Sequence, residues 1–171
     1  MATIEGKRLV TVSVTKEIQD AASAAYAAEK VISENSSGGT SWLFSAVAKV
    51  NGGTGYIVKA QVISETTDIT PRLTLYLFNA TPNSELDDLA ANTALLHADL
   101  ALYVGKIDFP AMENLGGDSE AIASPSTYGN LPLAFQCATA ADDLYGILVS
   151  RDTFTQVAAK DMTVNLTIEQ Y

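Results

Sequence analysis

The chain has 171 residues, of which 47% are apolar and 18% charged, with 20 acidic against 10 basic side chains and a net charge of −10. That length suits one domain, residues 1–171, with a core of its own. No apolar run approaches the roughly 18 residues of a membrane span, and an acidic surface repels both phosphates and anionic lipid, so neither membrane nor nucleic acid is an expected partner.

Residues 7–15, KRLVTVSVT, read as a first strand, with Val10, Val12 and Val14 on one face. KEIQDAASAAYAAEKVISEN is rich in alanine, which favours helix, yet Ile18, Tyr26, Val31 and Ile32 make no stripe at helical spacing. It reads as an irregular or partly helical connection that enters a short strand at Lys30 to Ser33. NSSGGT is a turn. SWLFSAVAKV follows as a strand, with Trp42, Phe44, Ala46 and Ala48 on one face and Trp42 as a core anchor. NGGTG predicts a tight hairpin, and it lacks the Lys-Ser/Thr ending of a phosphate loop.

Tyr56 to Asn79 is the centre of the pattern. GYIVKAQVIS puts Tyr56, Val58, Ala60 and Val62 on one face and Ile57, Lys59, Gln61 and Ile63 on the other. RLTLYLFN alternates Leu73, Leu75 and Leu77 with Arg72, Thr74, Tyr76 and Phe78. With Asp68 and Pro71 between them, the two runs read as an antiparallel pair in the middle of a β-sandwich. Ala80 to Ala98 is a long loop, helical in part, whose apolar residues are expected to seal an open edge of the sandwich; ADLALYVGK predicts a helical turn before Gly105. KIDFP is a short strand, and Glu113 to Tyr128 a long polar loop.

Three strands close the chain. NLPLAFQCAT sets Leu131, Leu133 and Phe135 on one face and carries Cys137. LYGILVSR is apolar on both faces, as in a central strand. MTVNLTIEQY points Met162, Val164, Leu166 and Ile168 inward and Thr163, Asn165, Thr167 and Glu169 outward. About eight strands separated by turns, with one or two short helices, predict an all-β fold: an antiparallel β-sandwich, jelly-roll-like.

Chemistry is sparse in these residues. The lone histidine, His97, lies among Leu95, Leu96 and Leu100, where a packed or surface role outweighs a catalytic one. No Cys/His cluster has metal spacing, no serine sits in a nucleophile elbow, and no calcium loop is present. The carboxylate pairs Asp87/Asp88 and Asp142/Asp143 are adjacent residues whose side chains diverge, so neither makes a catalytic dyad. We assign no catalytic, cofactor-binding or metal-binding residue, and expect no cofactor. The single cysteine cannot form an internal disulfide, and MATIEGKRLV lacks the apolar stretch of a signal peptide; both fit a chain made in a reducing cytosol.

Several segments, in order, resemble a group of small tailed-bacteriophage virion proteins. Tyr26-Ala27-Ala28-Glu29-Lys30-Val31-Ile32 is similar to their YAAxDV(I/V) segment. Gly52-Gly53-Thr54-Gly55 matches a Gly-Gly turn, Leu73 to Ala80 an L-x-L-x-x-F run, Val104 to Phe109 a VGxIDF strand. Leu144 to Leu166, with Arg151, Thr155, Asp161 and Val164, matches the closing segment. Glu29-Lys30 stands where Gly-Asp or Asn-Asp is usual, and Met162 replaces a leucine. The resemblance implies a capsid decoration or cement protein on the virion exterior, made in the host bacterial cytoplasm. Its implied partners are the major capsid protein and itself, as a homo-oligomer, trimer or dimer, and it implies no enzyme. The competing reading is a tail, baseplate or head-fibre component that binds host glycans, with Tyr103, Tyr128 and Tyr145 as candidate groove aromatics. On loop length alone, the termini and the loops Ala80 to His97 and Glu113 to Tyr128 are the expected contacts.

Overall fold

The computed structural model describes residues 6–18, 25–126 and 130–171. Its strands are β1 (Arg8–Ile18), β2 (Ala25–Tyr26), β3 (Val31–Ile32), β4 (Trp42–Phe44), β5 (Thr54–Ser64), β6 (Leu73–Phe78) and β7 (Tyr103–Phe109). They continue with β8 (Glu113–Asn114), β9 (Ser119–Ala123), β10 (Leu133–Gln136), β11 (Leu144–Ser150), β12 (Phe154–Thr155) and β13 (Lys160–Gln170).

The alternation of β13 organises one sheet. Met162, Val164, Leu166 and Ile168 are fully buried. β13 lies between β1 and β5, and the sheet runs β1-β13-β5-β9-β8, with β10 on the same side of β5 as β9. The other sheet runs β3-β11-β6-β7, with β4 beside β3 along β11. Every pairing is antiparallel. Let β3 and β4 count as one interrupted strand, and set aside the short β2, β8, β10 and β12. Eight strands remain, ordered first-eighth-third-sixth and second-seventh-fourth-fifth. That is the strand order of a jelly roll, an antiparallel sandwich.

This order corrects two predicted pairings. β5 and β6 are not partners: β5 lies in one sheet and β6 in the other, and residues 65–72 cross between them. Likewise the Gly52-Gly53 turn leads from β4 in one sheet to β5 in the other, so it closes no hairpin. Sequence alternation reports which face of a strand is buried; it does not report which strand lies alongside.

A third correction lies within β5. Thr167 pairs with Lys59 but Ile168 pairs with Ile57, so Val58 is an extra residue, a β-bulge. The bulge flips the alternation, and Ile57 is buried with Ala60 and Val62 while Tyr56 is exposed. The predicted face of Tyr56, Val58, Ala60 and Val62 is therefore split. β4 is also shorter than expected. Trp42 and Phe44 are buried, but Ala46 takes a positive φ of 58° and is exposed, which ends the strand.

The main core fills the space between the sheets, around Trp42, Phe44, Ile57, Leu75, Leu77, Leu148 and Leu166. Trp42 is the predicted anchor, and its indole N–H donates to the Ile32 carbonyl at 3.0 Å. Gly146 sits opposite Trp42 in β11; a Cβ there would come within 2.9 Å of Leu75 Cδ1 and 3.1 Å of Phe44. As predicted, β11 is buried on both faces.

A second, smaller core lies on the outer side of the five-stranded sheet. Val31, Phe78, Ile147 and Val149 are covered there by Leu86, Ala94, Leu95 and Leu102. The long loop after β6 thus covers a sheet face. It also borders the edge strand β3, since Leu89 N–H donates to Val31 O and Val31 N–H to Ala90 O. Its helical content is a single 3-10 turn, His97–Asp99, and no α-helix occurs among the described residues. The predicted polar loop after β7 is partly ordered as the β8/β9 hairpin, with β9 paired to β5. The alanine-rich connection lies outside the described residues over 19–24; Lys16 to Ile18 continue β1, Ala25–Tyr26 form β2, and the short strand expected at Lys30 to Ser33 is β3.

Candidate interaction surface

The outer face of the six-stranded sheet is built by the outward residues of three long strands and β9. Four rows cross it in register. Leu9, Glu169 and Tyr56 form the first; Thr11, Thr167 and Lys59 the second; Ser13, Asn165, Gln61 and Ile122 the third; and Thr15, Thr163, Ile63 and Glu120 the fourth. Glu17 and Asp161 continue beyond the fourth row. In a chain of net charge −10, the second and third rows contain no carboxylate and one ammonium, Lys59.

The side chains of this face bond to one another. The Thr15 and Thr163 hydroxyls lie 2.7 Å apart. The Asn165 amide donates to Gln61 Oε1 at 3.1 Å, and the Gln61 amide donates to Glu120. Such cross-strand contacts hold short polar side chains in fixed positions on a rigid sheet. Three eleven-residue strands cover about 36 Å by 14 Å and the five-residue β9 adds about 80 Å², so the face offers on the order of 600 Å². A typical specific interface takes ~800 Å² from each partner, so this one face is large enough to be most of a binding site.

The electrostatics place fixed charge at the margins. Lys16 points inward from β1, is buried, and is held by Glu34, Ser33 and the Thr40 carbonyl. Burial pushes the Lys16 ammonium down. Burial also opposes Glu34 ionisation, but its bonds from Lys16, Thr40 and Ser33 prevail and hold it at about 2. The two partners thus respond in opposite senses to one contact. Lys16 is the more deeply buried, so desolvation dominates there, while Glu34 is nearer solvent and keeps the benefit.

The sequence candidates fall elsewhere. Tyr145 and Tyr103 flank Phe78 in one row of the five-stranded sheet, which brings two of the three glycan-groove candidates together. Both are half-buried and pack into the second core beside Leu86 and Leu95; Tyr103 also lines an open cavity of about 390 Å³ with Val104, Ala134 and Phe135. Tyr128 lies outside the described residues. His97 is an exposed residue of the 3-10 turn. The adjacent aspartates diverge as expected: Asp87 accepts from Gly39 N–H, whereas Asp88 is buried and accepts from Tyr26 Oη and Ser33 N–H. Cys137 is buried, and burial with Asp142 and Asp143 nearby raises its thiol to about 11.

Sequence reasoning missed a polar cluster at the far end of the five-stranded sheet. Arg151 donates to Thr74 Oγ1 at 2.8 Å, to Tyr76 Oη at 3.0 Å and to Glu29. Asp108 takes bonds from Thr74, Lys106 and Asn130. Next to it is a cavity of about 470 Å³ with Phe109, Pro110, Ile122 and Ala123 as its apolar lining. The charged residues on its rim are committed to neighbours, Arg72 to Asp152 in a two-pronged pair and Asp108 as above. No group of three or more metal-ligating side chains occurs among the described residues, and none of their helices is long and apolar enough to cross a membrane.

No family model and no curated protein matches the chain. Among solved structures, that of Triatoma virus aligns at 12% identity with a TM-score of 0.24, covering 84% of this chain and 61% of that one. A likeness that distant carries no weight for fold or function; the jelly-roll assignment rests on the strand order.

Proposed function

We propose that this chain is a non-enzymatic structural protein of a virion. In this reading it is a decoration protein that binds the outer surface of a tailed-phage head and ties neighbouring major capsid subunits together, acting as a homo-oligomer. The observation that carries the reading is the outer face of the six-stranded sheet. It is hydrogen-bonded from strand to strand and free of carboxylates over its two central rows, on a chain of net charge −10. A repulsive envelope with one neutral face favours a single docking orientation.

The ordered resemblance of its segments to phage virion proteins supports the same reading, and jelly rolls recur in viral shells, though fold alone does not specify function. Hydrogen-bonding threonine, serine, asparagine and glutamine make contacts of modest strength individually. Display in many copies on a repeating lattice supplies the avidity.

The test is co-sedimentation. Heads of the parent phage, stripped of this chain with a mild chaotrope, are mixed with the purified protein. Saturable binding to the assembled shell, absent with unassembled capsid subunits, is the expected result. The variant Thr167→Glu, whose cross-strand neighbours are Thr11 and Lys59, should weaken that binding with its thermal transition little changed. A protein that ignores the shell at every concentration overturns the proposal.

A further inference from the structure

β1 is an edge strand of eleven residues, paired with β13 on one side. Among the described residues, no main-chain hydrogen bond from any other element reaches Arg8 to Glu17. Edge strands in stable monomers are usually short, bulged, interrupted by proline, covered, or blocked by an inward charge. β1 has no proline, and its register with β13 runs without a shift. Its one inward blocking charge among the later residues, Lys16, sits in the last third, beside Ser33 to Thr40. Among the described residues, nothing pairs with the segment from Arg8 to Val14 on its free side.

A groove of about 530 Å³ runs along this open segment, walled by Val10 and Val12 on one side and by Ser45, Ala46 and Lys49 on the other. The charged residues that line this groove are Arg8, Lys49 and Asp142, so its lining carries +1 although the whole chain carries −10. Two copies approaching edge to edge meet less repulsion than at the acidic margins.

We infer that β1 pairs with β1 of a second copy, antiparallel about a two-fold axis through Thr11, so that two six-stranded sheets become one continuous sheet. Antiparallel pairing puts residues of the same face opposite each other. Centred on Thr11, it sets Leu9 against Ser13 and Val10 against Val12 of the second copy, and Arg8 against Val14. No like charges are opposed within the open segment. The contact is isologous and closes at two subunits. It also extends the outer face of each sheet into that of the copy, with the row of Thr11, Thr167 and Lys59 meeting its own copy. The pairing is a property of the free protein and does not depend on capsid binding, so failure of one leaves the other standing.

The experiment combines sedimentation equilibrium with single-cysteine cross-linking of the full chain. Thr11→Cys sits on the axis, where directly opposed Cα atoms are about 4.5 to 5.5 Å apart, within disulfide range. Thr15→Cys lies four residues off the axis and about 27 Å from its copy. Thr163→Cys lies mid-face and reports a face-to-face dimer. The native Cys137 is buried and contributes no background. A concentration-dependent dimer, with cross-linking at position 11 and none at 15 or 163, is the expected result. The double variant Thr11→Lys, Ser13→Lys should raise the dissociation constant more than tenfold while leaving the fold intact by circular dichroism. A monomer at all concentrations overturns the inference, as does cross-linking at 163 or 15 in preference to 11.

Discussion

Asp99 offers a sharp test of how the outer side of the five-stranded sheet is covered. It is fully buried at the end of the 3-10 turn. Its Oδ1 accepts from the main-chain and side-chain nitrogens of Asn83, both at 2.8 Å. Its Oδ2 accepts from Ser84 N–H at 2.8 Å and Ser84 Oγ at 2.7 Å. Burial works against ionisation of Asp99, but the bonds from Ser84 and Asn83 outweigh it and hold the carboxyl below its usual range. The variant Asp99→Ala removes all four bonds. The Asn83 and Ser84 side chains can turn elsewhere; the Ser84 main-chain N–H cannot. Ser84 is buried, whereas Asn83 is exposed and its N–H can turn to water, so at about 1–3 kcal/mol for one buried unpaired donor the loss is roughly 2 kcal/mol. For a domain of this size that lowers the melting temperature by about 4–8 °C. Because folding depresses the Asp99 pKa, its contribution is complete above the ordinary carboxylate range near 4 and fades as pH falls through the folded value. The gap between wild type and variant should narrow accordingly below about pH 4. Calorimetry measures the shift, and amide exchange locates it: protection should fall over residues 80–102 and persist in β13. A drop under about 2 °C, or uniform loss of protection, refutes the reasoning.

Other expectations follow from single contacts. Glu34 is held at about 2 by its partners, so the stability it contributes should be intact above about pH 4.5 and disappear as pH falls towards 2, which acid titration of the folded fraction measures. Glu34→Gln should blunt that acid loss. Cys137, buried with its thiol raised to about 11, should react with a thiol reagent at pH 8 only as fast as the protein opens, and stoichiometrically in denaturant. Trp42 is the sole tryptophan and is fully buried; its emission should be blue-shifted and shielded from acrylamide, and Trp42→Ala should cost about 3–5 kcal/mol by chemical denaturation.

Where each residue faces was largely legible from the sequence; where each strand lies was not. β13 shows strict alternation because one face meets the core and the other water, and the same logic identifies Val10, Val12 and Val14 of β1. β11 reads as central because both its faces are apolar. The Val58 bulge is invisible because Tyr56, Val58, Ala60 and Val62 continue an unbroken alternation; only the pairing with Ile168 exposes the extra residue. β9 escaped notice because its buried side is Ser119, Ala121 and Ala123, too small and mixed to read as a greasy face. The crossing between β5 and β6 has the same Asp and Pro signals as a hairpin turn. The loop over Phe78, Ile147 and Val149 has no period, since irregular chain buries leucines wherever they happen to reach.

The candidate surface was half readable. Thr163, Asn165 and Thr167 are marked as outward by β13 alone. Their alignment with Thr11 and Ser13 on one side and Gln61 on the other requires the sheet order. The loop and aromatic candidates were chosen by length and exposure, but Leu86, Ala94, Leu95, Tyr103 and Tyr145 pack against the second core, and Leu89, Ala121 and Ala123 against the main one.

Electron cryo-microscopy of the parent particle tests the central claim most directly. The account predicts this chain on the outside of the head, with the rows of Thr167 and Asn165 turned towards the shell. Density in the tail, or contact made through the Leu86–Leu95 cover of the other sheet, contradicts it.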